Sequence, residues 1–222
     1  MNWKLPNQLT VGRMVIAAAF FVLLGMYDAE KPGMSQWLLN IAFVLYILAG
    51  ITDVLDGYFA RKWNITTAFG RITDPVVDKV LVVGAFVMLC GRNFAAGDAG
   101  VGLSAVEQDL PYWLTGYMLT AVRPWMVVVI LSREFLVSAV RGYSESQGIV
   151  FPATSAGKIK MFLQSFAICT VIYQVANVRD PAWAVWMKII TVWISMIATV
   201  LSGLAYIGKA RKLLVTSETK DA

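Results

Sequence analysis

Asp53-Val54-Leu55-Asp56-Gly57-Tyr58-Phe59-Ala60-Arg61, eight intervening residues, and Gly70-Arg71-Ile72-Thr73-Asp74-Pro75-Val76-Val77-Asp78 place four carboxylates inside two apolar runs that otherwise read as membrane-spanning helices. An ionisable group within a bilayer is costly unless it is paired or bound, so something must compensate these four. Helical residues three or four apart share a face. Asp53, Asp56 and Gly57 are therefore expected on one face of the first run, and Asp74 and Asp78 on one face of the second. The polar and basic stretch from Lys62 to Thr73 is expected to turn at the membrane surface, which folds the two runs into a hairpin with all four carboxylates at similar depth.

Such an oxygen-rich cluster suits hard divalent cations such as Mg2+ and Mn2+, which prefer carboxylate and water oxygens. Two of them about 3.5–4 Å apart can clamp the attacking and leaving oxygens of a phosphoryl displacement. Gly57, without a side chain, lets a ligand approach the helix backbone. Arg61, one turn later, offers a planar guanidinium to a phosphate. A buried ion network with Arg61, Lys62, Arg71 and Lys79 is the competing structural reading, but it needs neither Gly57 nor four acids on two matching faces.

The pattern D-x2-D-G-x2-A-R-x8-G-x3-D-x3-D, met at Asp53, Asp56, Gly57, Ala60, Arg61, Gly70, Asp74 and Asp78, resembles the signature of the CDP-alcohol phosphotransferases. That resemblance implies an integral-membrane enzyme that transfers a CMP-linked substituted phosphate to an alcohol and releases CMP. It implies that Asp53, Asp56 and Asp74 are ligands of two divalent cations, Mg2+ or Mn2+, and that Asp78 is the general base with some metal contact of its own. It further implies that Gly57, Ala60, Arg61 and Gly70 border the CDP diphosphate. Pro6, Asn7, Leu9, Thr10 and Arg13 also resemble the start of many members, where this segment borders the nucleotide site. Asn7 and Thr10 are equally readable as helix caps.

The whole chain agrees with a membrane location. Its 222 residues are 58% hydrophobic and only 15% charged, with mean hydropathy +0.65, unlike a soluble domain. Six apolar runs approach the roughly 20 residues needed to cross a bilayer. Among them are 14–27, 37–59 and 72–90, a fourth ending at Ser132-Arg133-Glu134 through Arg141, a fifth opening at Gly157-Lys158-Ile159-Lys160, and a sixth over 183–207. The expected fold is an all-α integral membrane protein of one domain, 1–222, with a short interfacial lead over 1–10 and a polar tail from about 210. The lead lacks a signal-peptide cleavage pattern, and it lacks the Arg- and Ser-rich character of a transit segment, which favours a bacterial inner membrane. The polar insert 91–111 reads as a loop on the far side with nothing catalytic in it, and Trp113 and Trp125 suit an aromatic belt there.

The absence of histidine removes imidazole bases, imidazole ligands and a Ser-His-Asp triad, leaving carboxylates, Lys, Tyr and metal-bound water for acid–base work. Cys90 and Cys169 sit within apolar runs as packing residues, which points to neither a disulfide framework nor zinc. The net charge of +5 is spread over the ends of the apolar runs rather than gathered in an arm, so it speaks for orientation and against nucleic acid. With six spans the termini share a side. Placing both in the cytosol puts fourteen Lys and Arg on that side against five opposite, in accord with the positive-inside rule.

In that topology the four Asp, Arg61, Arg133, Arg141 and Lys158 converge on a polar cavity at the cytosolic face. Arg133 and Arg141, eight residues apart, lie about two turns and roughly 80° apart on a helix, so both can serve one side. The bland reading of Arg133, Arg141 and Lys158 is snorkelling to lipid headgroups. Arg133-Glu134 through Arg141, with Gly157-Lys158-x-Lys160 and Gln164, resembles the branch of the family whose acceptor is glycerol 3-phosphate. In that branch the matching Arg and Lys are implied to hold the acceptor's phosphate. The resemblance thus implies CDP-diacylglycerol and sn-glycerol 3-phosphate as substrates and a homodimer as the assembly. Other acceptors remain open, inositol phosphate or phosphatidylglycerol among them. So does a different class, an ion or proton transporter whose membrane carboxylates relay charge.

Overall fold

The structure, a computed structural model, describes residues 5–29, 32–62, 68–96, 103–146 and 155–218; within them the side chains of 5–7, 9, 32, 34, 56, 59–61, 68–75 and 209–218 lie outside the description. All regular structure among the described residues is helical. Six helices are long: α1 Leu5–Gly25, α2 Pro32–Lys62, α3 Ala68–Leu89, α6 Pro124–Ser146, α7 Ser155–Asn177 and α8 Ala182–Glu218. Two are single turns, α4 Ala105–Gln108 and α5 Tyr112–Thr115.

Each long helix buries a stripe at helical spacing. In α1 it runs Thr10, Arg13, Ala17, Phe20 and Leu24; in α2, Leu39, Ala42, Tyr46 and Ala49; in α3, Leu81, Val82, Ala85, Phe86 and Leu89. The opposite faces are exposed and equally apolar, as with Ile41, Val44, Leu48, Ile51 and Leu55 of α2. A helix that is hydrophobic all round has no face suited to water. Three segments among the described residues, Ser35–Leu55, Ser155–Asn177 and Ala182–Gly208, are long and apolar enough to cross a membrane. The chain is an integral membrane protein on these grounds.

The long helices close a ring in the order α1, α2, α7, α8, α6, α3, with α3 and α7 also touching across it. The main apolar core fills the end of the ring that holds the C-terminus of α1 and the N-termini of α2 and α6: Phe20, Leu24, Leu39, Phe86, Leu89, Met126, Ile168 and Val171 are all buried there. A cap closes that end. Phe94, in a 3-10 turn over Arg92–Phe94, stacks on Tyr27 with ring centroids 4.4 Å apart. Glu107, in α4, forms a capping box with Ser104 and accepts from Lys188 Nζ at 2.5 Å. Trp113 and Trp125 both touch Trp193 and are exposed, as an interfacial belt requires.

Several expected boundaries move. Helix α1 starts at Leu5 rather than after a lead, because a proline at the second helical position has no acceptor to lose. Asn7 and Thr10 therefore lie inside the helix instead of capping it. Helix α3 starts at Ala68, so residues 68–73 of the stretch expected to turn, Lys62 to Thr73, are helical, while 63–67 lie outside the described residues. Pro75 stands eighth in α3, where its missing N–H leaves the carbonyl of Arg71 without the usual helical donor. Helix α8 continues through Glu218, beyond the expected start of the tail, since Lys209, Ala210, Arg211, Lys212, Leu213 and Leu214 are all good helix formers.

Candidate functional site

At the end of the ring opposite the cap, the buried stripes turn polar together. Asp53 follows Ala49 by four residues, Asp78 precedes Leu81 and Val82 by three and four, and Arg13 precedes Ala17 by four. Helical spacing thus carries the stripes of α2, α3 and α1 directly into these three side chains. Arg13 is buried and donates through one nitrogen, Nη1, to Asp53 Oδ1 at 2.5 Å and to Asp78 Oδ1 at 2.9 Å. Two carboxylates from different helices therefore share a single cationic group. Both remain partly open, with 35% of the Asp53 side chain and 28% of the Asp78 side chain exposed.

Asp78 also lines a cavity of about 280 Å³ between α3, α6, α7 and α8. Its walls carry five cations, Lys79, Arg133, Arg141, Lys158 and Lys160, with Glu134, Ser138, Gln164 and Tyr206. Arg133 is tied on three sides: Nη1 donates to Glu134 Oε1 at 2.9 Å, Nη2 donates to Ser202 Oγ at 2.5 Å, and its carbon Cζ sits 5.4 Å from the centre of the Tyr206 ring. Lys160 Nζ also donates to Glu134 Oε1, and Lys79 Nζ donates to Ser138 Oγ at 2.6 Å. Among the described residues, the buried Nε atoms of Arg133 and Arg141 have no hydrogen-bond acceptor. Five cations on its walls against two carboxylates, Asp78 and Glu134, point to an anion as the cavity's natural occupant.

On its other side Asp78 lines, with Asp53, an apolar groove of about 210 Å³ formed by Tyr46, Ile47, Ala49, Gly50, Leu81, Val82, Met161, Ser165 and Cys169. Tyr46 Oη donates to Ser165 Oγ at 3.3 Å across it. A carboxylate able to take a proton thus stands between a cationic cavity and an apolar groove.

Of the residues singled out in the sequence, the structure brings together Asp53 and Asp78, and separately Arg133, Arg141 and Lys158, with Asp78 common to both groups. Thr10 is buried one turn before Arg13, on the same stripe. Gly57 is exposed near the C-terminus of α2. Asp56, Ala60 and Arg61 belong to α2, Gly70 and Asp74 to α3 and Asn7 to α1, but their side chains lie outside the described residues. Arg13, expected beside the nucleotide, stands instead between Asp53 and Asp78, and Glu134, Lys160 and Lys79 carried no role of their own in the expected site. The signal for Arg13 was present, a cation in phase with an apolar stripe; for Glu134 and Lys160 the spacing along the chain gives no sign that they pair.

The sequence profile described as CDP-alcohol phosphatidyltransferase matches residues 3–201. The chain is 30% identical over 220 residues, 97% of its length and 99% of the relative's, to the CDP-diacylglycerol--glycerol-3-phosphate 3-phosphatidyltransferase of Bacillus subtilis (strain 168). Proteins of the same name from Haemophilus influenzae, 30% identical over 97% of each chain, and from Rickettsia felis, 29% identical over 94% of this chain and 96% of the relative, are similar along their whole lengths as well. A match over nearly the entire chain, joined to a carboxylate pair at the polar end of a membrane helix ring, leads to one conclusion: this chain belongs to the CDP-alcohol phosphatidyltransferase family and is a transferase.

Proposed function

We propose that the chain transfers the phosphatidyl group of CDP-diacylglycerol to sn-glycerol 3-phosphate, releasing CMP and leaving phosphatidylglycerol phosphate in the membrane. The observation that carries this reading is the double position of Asp78, lining both the cationic cavity and the apolar groove. A reaction between a lipid and a small phosphorylated alcohol needs its base at such a boundary. The names of the relatives from Bacillus, Haemophilus and Rickettsia support the same pair of substrates.

In this reading the acceptor's phosphate lies among Arg133, Arg141 and Lys158. Three cations exceed what a neutral alcohol needs and suit a dianion. The donor's diacylglycerol lies toward the apolar groove, and its cytidine diphosphate lies toward Thr10, Asn7, Gly57, Ala60, Arg61 and Gly70. Asp78 accepts the proton of the acceptor's 1-hydroxyl while that oxygen attacks the lipid-linked phosphorus in line. A new phosphorus–oxygen bond forms, the bond to CMP breaks, and CMP leaves with the electron pair.

The donor set fits divalent cations: Asp53 and Asp78 come from different helices, present hard oxygens, and stand close enough to share one cationic group, Arg13. Asp53, Asp56, Asp74 and Asp78 would hold two Mg2+ or Mn2+, whose chemistry there is neutralisation of the diphosphate. Arg13 fixes Asp53 and Asp78 relative to each other and balances their charge. We further read the six long helices as six spans with both termini in the cytosol of a bacterium, in its inner membrane, and the working assembly as a homodimer.

Purified protein assayed with CDP-diacylglycerol and a panel of glycerol 3-phosphate, inositol phosphate and phosphatidylglycerol tests the reading. CMP release should be greatest with glycerol 3-phosphate, stop with a chelator and return with Mg2+ or Mn2+. In Asp78→Asn it should fall by at least about 100-fold, the range expected for a lost general base. Faster incorporation of another alcohol would reject the acceptor, and undiminished release in Asp78→Asn would reject the mechanism.

A further inference from the structure

The cavity read above as the seat of the acceptor's phosphate contains an anion of its own. Glu134 is nearly enclosed, with 12% of its side chain exposed, and its Oε1 accepts from both Arg133 and Lys160, whose side chains are 9% and 7% exposed. Arg133 is its neighbour in the chain, but Lys160 reaches it from α7. Five cations around one cavity repel one another whenever no substrate is present, and Glu134 relieves that repulsion. The same contact has a second effect when a phosphate is bound. Glu134 keeps hold of Lys160 and of one edge of Arg133, leaving Arg141 and Lys158 to the ligand.

We propose that Glu134 is a tethered counter-anion of this cavity, a positioning residue that competes with the bound phosphate for Lys160 and Arg133 and so keeps the phosphorylated product releasable. The inference rests on the proposed acceptor. The product retains the acceptor's phosphate, so whatever grips the substrate there also grips the product. Binding that is equally strong before and after the reaction lowers KM without raising kcat, and beyond some strength it makes release the slow step. A carboxylate inside the cavity weakens both states together. Removing its charge should tighten both.

The test compares wild type, Glu134→Gln, Lys160→Gln, Lys158→Gln and the double variant E134Q/K160Q, first for direct binding of inorganic phosphate by calorimetry in detergent and then for turnover. In Glu134→Gln phosphate should bind about tenfold more tightly. KM for glycerol 3-phosphate should fall with kcat, and a burst of CMP should precede a slower steady state. Lys160→Gln, which leaves Glu134 less compensated, should bind phosphate more weakly. The double variant should return to within about threefold of wild type; because it removes both partners of the pair, it is expected to fold even where a single variant does not. The proposal is overturned if Glu134→Gln binds phosphate no more tightly than wild type, or if the double variant loses phosphate as Lys158→Gln does, which would make Lys160 a direct ligand and Glu134 a mere clip between α6 and α7. Phosphate binding is read without any alcohol, so a wrong acceptor shows in the alcohol panel and a wrong role for Glu134 shows here.

Discussion

Arg13 donates through one nitrogen to carboxylates of two different helices, and its burial means that no water can stand in for it. Replacing it by methionine keeps most of its length but leaves Asp53 and Asp78 facing each other with their charges unbalanced. Breaking a fully buried pair costs about 3–5 kcal/mol. Both acids are about a third exposed, so screening should reduce the cost to about 1–3 kcal/mol. Arg13→Met is expected to lower Tm in detergent by that equivalent and to cut CMP release at least tenfold. Arg13→Lys, which keeps the charge but loses the planar fork, should recover most of the stability and part of the rate. At this scale the sequence was legible where chemistry is local. Asp53 and Asp78 declare themselves because an acid has no other reason to sit in an apolar run, whereas the grip of Glu134 on Lys160 joins residues 26 apart and is decided by how α6 and α7 pack.

The helices owe their arrangement to stripes, and the stripe of α3 includes a place where a side chain is missing. A Cβ on Gly84 would stand 2.5 Å from Cζ of Phe21 in α1. That gap lets α1 and α3 approach, and their approach is what sets Arg13 against Asp78. Gly84→Val should therefore act at a distance of two turns. Overpacking should destabilise by about 1–3 kcal/mol, and activity should fall further than stability as Arg13 is levered away from Asp78. Shortening the opposing ring in Phe21→Leu should restore both in the double variant; failure of the second change to rescue the first would mean that the helix spacing does not govern the site. The six long helices coincide with the six apolar runs read in the sequence, three of them long and apolar enough to cross a membrane. Their ends do not. The start of α3 at Ala68 and the continuation of α8 to Glu218 lie in polar sequence, where helix propensity and packing decide instead of the bilayer.

The molecule as a whole is polarised, with carboxylates and the cationic cavity at one end of the ring and an apolar core under a capped loop at the other. The cap is held by Lys188, which is buried in α8 and donates to Glu107 Oε1 and to the carbonyl of Leu119, each at 2.5 Å. Lys188→Met strands a buried carboxylate and should cost about 3–5 kcal/mol, seen as a lower Tm, while the rate per folded molecule stays as in wild type because the cavity lies at the opposite end. The double change E107L/K188M should restore only part of the loss, since the apolar pair leaves no charge unpaired but deprives the Ser104 N–H and the Leu119 carbonyl of their partners.

The same polarity underlies the proposed orientation of the ring. Arg92, Arg123, Arg179 and Lys188 belong to the capped end, while Arg13, Lys79, Arg133, Arg141, Lys158 and Lys160 belong to the cavity end, and excess Lys and Arg stay in the cytosol. With Cys90 and Cys169 replaced by alanine, a single cysteine at the exposed Gln108 beside the cap should react with a membrane-impermeant maleimide in intact spheroplasts. A single cysteine at the exposed Ser146, at the far end of α6, should react only after the membrane is opened. A water-soluble phosphorylated acceptor made in the cytosol reaches the cavity directly in that orientation. The reverse labelling pattern would put the carboxylates on the side where neither that acceptor nor a cytidine nucleotide is supplied, and the proposed reaction would fall with it.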